Sequence, residues 1–188
     1  MDIKIKIPTK LSDIKLKDFQ RISDALENNP NLTDKELIAI YYDVDIKIID
    51  SFAYADILEI ITILKTVLET KEHELVRFTT IDNITFGFVP NLNEITYGEY
   101  LNITTYLKHH STFHMLMANL YRPVVKKKND LYEIEAFEST DKYSDIMKDV
   151  GLDVFIGAIT FFLHLRIALE KHTKNSTVVE EVIQQMKK

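Results

Sequence analysis

Asp82-Asn83 is the pair that most constrains this chain. Both residue types tolerate positive φ. Their flanks are written in β-branched and aromatic residues: Val76, Phe78 and Thr80 before them, Ile84, Phe86 and Phe88 after. A two-residue loop between such runs predicts a tight hairpin over 75–90. Long helical patterns flank it on both sides and need something to pack on. The stretch from His73 to Pro123 is therefore the part around which the rest is expected to organise.

Helix is favoured elsewhere because only 4 glycines and 4 prolines interrupt a chain that is 46% hydrophobic. At 188 residues such a chain can bury roughly 70% of its unfolded surface, enough to fold without a metal or a disulfide. No cysteine is present, which removes thiol catalysis, thiolate metal sites and disulfides. A net charge of −6 argues against general nucleic-acid binding, since phosphates are neutralised by a surplus of Lys and Arg. The opening Met1-Asp2-Ile3-Lys4-Ile5-Lys6 has no apolar core of a signal peptide. Val154 to Leu163, the most apolar run, falls short of the ~20 residues needed to span a bilayer and reads as a buried helix.

Taken in order, Ile3, Ile5 and Ile7 alternate with charged residues and suggest a short strand ending at Pro8. A helix carrying Phe19, Ile22 and Leu26 stops at Asn28-Asn29-Pro30. Thr33-Asp34-Lys35-Glu36 is a capping box opening a helix with Leu37, Ile40 and Tyr41. Ile57, Ile60, Ile61, Leu64, Val67 and Leu68 form the cleanest amphipathic stripe. After the hairpin, Leu92-Asn93-Glu94-Ile95-Thr96-Tyr97-Gly98-Glu99-Tyr100 echoes Leu11-Ser12-Asp13-Ile14-Lys15-Leu16-Lys17-Asp18-Phe19. Duplication competes with the plainer view that a helix start needs such residues anyway. Thr96 and Glu99 form a second capping box, followed by Tyr100, Ile103 and Leu107. A second hairpin is expected over 124–137, with Lys127-Lys128-Asn129-Asp130 at its tip. A long helix over 152–171 carries Phe155, Ile159, Phe162, Leu165 and Leu169. The expected architecture is α+β and mostly α-helical: a helical, bundle-like body with one or two small antiparallel hairpins in mid-chain. It forms a single helix-rich domain over 1–172, with 173–188 a linker and short amphipathic helix.

Candidate chemistry is sparse. His110 and His114 have the spacing of two zinc ligands on one helical turn, with His109 beside them. The residues between them are Ser111-Thr112-Phe113, without the carboxylate of a metalloprotease helix, so solvated or hydrogen-bonded histidines are expected. No nucleophile elbow, phosphate-cradling glycine loop or dinucleotide fingerprint is found. No catalytic, cofactor-binding or metal residue is assigned. Lys126, Lys127 and Lys128 form a local basic patch, the one feature that would touch nucleic acid, though a charged tip also protects an edge from aggregation. Tyr41, Tyr42, Phe52, Tyr54, Tyr97, Tyr100 and Tyr121 are expected in the core. The terminal helix, with Val179, Val182, Ile183 and Met186 on its apolar face, is the candidate partner-docking element: so short a helix needs a surface to fold against, either its own domain or another chain.

Several short stretches resemble a protein family from crAss-like and related tailed phages of Bacteroidetes hosts. They are Ile5-Lys6-Ile7-Pro8 with Leu11-Ser12-Asp13-Ile14, Ile95-Thr96-Tyr97-Gly98-Glu99-Tyr100, Leu120-Tyr121-Arg122-Pro123-Val124, Tyr132-Glu133-Ile134-Glu135 and Phe161-Phe162-Leu163. The resemblance implies a virion or assembly protein without catalytic residues or cofactor, carried as internal cargo or associated with portal and tail. Its partners would be other virion proteins of portal, tail or capsid, or further copies of itself, and no membrane. It would sit in the virion, and in the host cytoplasm during assembly. A tail-assembly chaperone that leaves before completion is the alternative, and an enzyme of unrecognised type a third.

Overall fold

At the hairpin tip the chain takes the conformation its residues favour. Asp82 and Asn83 both have positive φ, 49° and 63°, and join β1 (Phe78–Ile81) to β2 (Ile84–Phe88) with Ile81 opposite Ile84. This is the mirror-image turn whose twist matches that of paired strands. It belongs to a computed structural model that describes residues 6–69, 73–129 and 131–164.

The second hairpin, β3 (Tyr121–Lys128) with β4 (Leu131–Ile134), begins earlier than the expected 124 and is joined to the first. Tyr121, Arg122 and Pro123 pair with Phe88, Gly87 and Phe86. The result is one antiparallel four-stranded sheet in the order β1-β2-β3-β4. Pro123 stands where β3 leaves β2 and its ladder with β4 begins, a hand-over at which a missing N–H is tolerated. Gly87 is required by closeness: a Cβ there would lie 2.9 Å from the Tyr132 ring and 3.0 Å from Val124.

Helices make up most of the remaining described residues, so the fold is α+β and mostly helical. They are α1 (Leu16–Asn28), α2 (Asp34–Tyr42), the single-turn α3 (Ile46–Ile49), α4 (Tyr54–Leu68), α5 (Tyr97–Tyr106), α6 (Phe113–Leu120), α7 (Asp141–Met147) and α8 over 152–164. One apolar cluster runs from Leu11 through Ile38, Leu64, Phe86, Ile103, Met117 and Tyr121 to Ala158. The α4 stripe is buried as its spacing predicts at Ile60, Ile61, Leu64 and Val67, with Ile57 and Leu68 half-buried.

Several expectations are corrected. In α1 Phe19 and Ile22 pack half-buried on the core as expected and Leu16 and Gln20 are buried beside them, but Leu26 is exposed. In α2 Ile38, Ala39 and Tyr41 are buried and Leu37 and Ile40 only half-buried, because α2 packs against α1, α3 and α4 at once and turns its face accordingly. Residues 6–9 carry no strand, and Ile3 and Ile5 lie outside the described residues, as do Leu165, Leu169 and 173–188. Helix α8 is buried at Leu152, Val154, Phe155 and Ala158 but surfaces at Phe161 and Leu163. Its Gly157 is pressed on the chain ahead of β1: a Cβ would stand 2.4 Å from the Glu74 carbonyl oxygen. Among the described residues no helix is long and apolar enough to cross a membrane.

Candidate functional site

The site is built by the second capping box. Thr96 Oγ1 accepts the Glu99 N–H at 3.2 Å, and Glu99 Oε2 accepts the Thr96 N–H at 2.8 Å. Both orphan amides at the start of α5 are thereby satisfied and the Glu99 side chain is fixed inward. There its second oxygen meets Arg122 Nη1 at 3.1 Å, in a pair whose side chains are 6% and 11% exposed. Burial lowers the Arg122 pKa and the Glu99 charge opposes it. The guanidinium also lies 5.8 Å from the Phe137 ring centre, and among the described residues its buried Nε has no hydrogen-bond partner. This buried pair ties the start of α5 to β3.

With Glu99 and Ile103 turned inward, the i, i+3, i+4 spacing of Tyr97, Tyr100 and Leu101 makes them neighbours on the uncovered side of α5. They are 75%, 50% and 43% exposed. Expecting Tyr97 and Tyr100 in the core is therefore wrong, as it is for Tyr54 at the start of α4, which is 76% exposed. Tyr41 and Tyr121 are buried, and Tyr42 and Phe52 are half-buried against the core. Residue type fixed the aromatic positions, but the neighbouring elements decide which face is covered. Further exposed apolar side chains are Leu58, one turn after Tyr54, and Val125 and Leu131 on the second hairpin.

The basic tip is engaged within the hairpin region. Lys126 Nζ pairs with Glu133 across the strands at 3.0 Å, and Lys127 Nζ stands 3.9 Å over the Phe78 ring. Val179, Val182, Ile183 and Met186 lie outside the described residues.

His110 and His114 do not share a helical face. His110 sits in a 3-10 turn at His110–Thr112, and α6 begins at Phe113. His114 Nδ1 faces the Gln20 amide nitrogen at 3.1 Å, and burial holds its pKa down. The same amide donates to the His110 carbonyl at 2.6 Å. His110 Nε2 instead meets Asp24 at 2.5 Å and Glu27 at 3.3 Å, both on α1. Asp24 and Glu27 lie far from His110 in the chain, so no local spacing could have revealed the group.

Scans against protein-family models, curated proteins and solved structures find no match for this chain.

Proposed function

We propose that this chain is a non-enzymatic structural protein of a tailed-phage particle, cargo or portal- and tail-associated, that works by docking on other virion proteins. The phage assignment rests on the resemblance carried by Ile95 to Tyr100, Leu120 to Val124 and Tyr132 to Glu135. The observation that carries docking is the exposed Tyr97, Tyr100 and Leu101 face of α5. Three large apolar side chains clustered on one rigid turn are the kind of patch that marks an interaction surface, whereas single exposed apolar residues need no explanation. Tyrosine suits this role, offering wide contact area at low entropic cost and a polar tip that tolerates water before assembly. The buried Glu99–Arg122 pair holds that face in a fixed orientation, which reduces the ordering cost on binding.

Quantitative mass spectrometry of purified particles tests the assignment. Presence at a fixed stoichiometry to capsid or portal protein is expected. Absence from mature particles, with the protein bound to tail components in assembling cells, would replace this reading with that of an assembly chaperone.

A further inference from the structure

We propose that Asp24, Glu27 and His110 form a surface site for a divalent transition-metal ion of the zinc type. The three donor atoms lie within 4.8 Å of one another. Two carboxylate oxygens converge on a single ring nitrogen: Asp24 Oδ1 at 2.5 Å and Glu27 Oε2 at 3.3 Å from His110 Nε2. One imidazole nitrogen carries at most one hydrogen, so it cannot satisfy both carboxylates equally. A cation in their midst can.

Oxygen and nitrogen ligands bound at about 2.0–2.2 Å stand roughly 3.0–3.4 Å apart in tetrahedral or octahedral geometry. The Glu27–His110 separation already fits. Asp24, with a side chain 53% exposed, has room to move outward by the small remaining difference.

The backbone that carries His110 is held by groups outside the trio. Gln20, itself buried, donates to the His110 carbonyl, and the single Thr112 hydroxyl hydrogen is shared between the carbonyls of His109 and Tyr106, each 2.8 Å from Oγ1. The Gln20 bond ties the 110–112 turn to α1, and the Thr112 hydroxyl ties it to the end of α5. The nearby Arg21 does not neutralise the two acids: its guanidinium is directed at Asp18, Asp43 and the Ile40 carbonyl.

A mixed set of one imidazole and two carboxylates selects a borderline ion such as Zn²⁺ over hard Mg²⁺, which prefers oxygen alone. Three protein donors leave at least one coordination position open. Because the ligands come from α1 and from the turn before α6, a bound ion would also lock these two elements together.

The test is isothermal titration of the full chain with ZnCl₂ in a non-chelating buffer, paired with thermal melts. One equivalent is expected to bind and to raise the Tm, since the folded chain alone holds the three donors together. His110→Ala and Glu27→Gln should each weaken binding by at least about tenfold and abolish the Tm shift. His109→Ala, altering the exposed neighbour, should bind as the unaltered chain does, and MgCl₂ should not substitute. Circular dichroism confirms that each variant is folded, and two ligand variants guard against one failing. No saturable single equivalent, or full affinity retained in both His110→Ala and Glu27→Gln, would overturn the proposal. The first result would leave an ordinary ion pair, and the second would place the ion elsewhere.

Discussion

Leu11–Phe19 and Leu92–Tyr100 run the same local course, yet their matching apolar positions are buried in the first and much more open in the second. Each makes a 3-10 turn, Leu11–Asp13 or Leu92–Glu94, and enters its helix at the same spacing, at Leu16 or Tyr97. Each places an acid in the first turn that pairs with an arginine: Asp18 with Arg21 at 2.6 Å, Glu99 with Arg122 at 3.1 Å. Their surroundings differ. Leu11, Ile14 and Leu16 are buried, whereas Leu92 and Ile95 are half-buried and Tyr97 is open. The first stretch is covered by 148–152, whose backbone supplies the bonds Leu16 N–H to the Val150 carbonyl, Lys17 N–H to Lys148 and Leu152 N–H to Ile14. Consequently α1 needs no side-chain cap, and Lys15 provides none. Among the described residues the second stretch has no such backbone partner at its start, and it uses its own capping box. Similar wording thus fixes a path, while exposure depends on what another part of the chain lays over it.

The largest test of the contrast strikes the anchor of the exposed stretch. Arg122→Leu should cost about 3–5 kcal/mol in urea unfolding, because it leaves the Glu99 carboxylate buried without its counter-charge. A cost near zero would mean that the pair is solvated and does not hold α5. Next, Leu16→Ala should cost about 2–5 kcal/mol, while Tyr97→Ala at the matching position should stay within about 0.5 kcal/mol. Equal costs would erase the distinction between the two stretches.

Capping separates them on a smaller scale. Thr96→Ala should lose about 1 kcal/mol, since it removes the acceptor of the Glu99 N–H. Lys15→Ala should be close to neutral, as the first amides of α1 already have carbonyl partners. The weakest effect is a pH dependence that reports how α1 is covered. Burial depresses the His114 pKa, so the native chain favours the neutral imidazole that accepts from Gln20. Its contribution to stability is complete above the ordinary imidazole range and is lost as pH falls through the depressed native value. Chemical denaturation at stepped pH should show this loss, and His114→Asn should remove that part of the slope.

Features set by neighbours in sequence were legible. The Asp82-Asn83 turn, both capping boxes and the α4 stripe follow from residues a few positions apart. Features set across the chain were not. The joining of the two hairpins through Tyr121 to Pro123 depends on a close approach at Gly87, where the absence of a side chain looks like any other glycine. Helix α7 is short and carries only Ser144 and Met147 as buried residues, too few to display a period. Of the proposed docking surface, Thr96 and Glu99 could be read directly, but the anchor that fixes their orientation, Arg122 on β3, lies too far along the chain to be paired with them by spacing. The gathering of Asp24 and Glu27 around His110 is likewise a product of α1 lying against the 110–112 turn.

The central proposal is that the open face of α5 docks on a partner protein of the phage particle. Replacing Tyr97 and Tyr100 together by serine, and measuring the abundance of this chain in purified particles, tests it directly. The account predicts a variant with native circular dichroism and nearly native melting that is strongly depleted from particles. A folded variant incorporated at the normal level would contradict it.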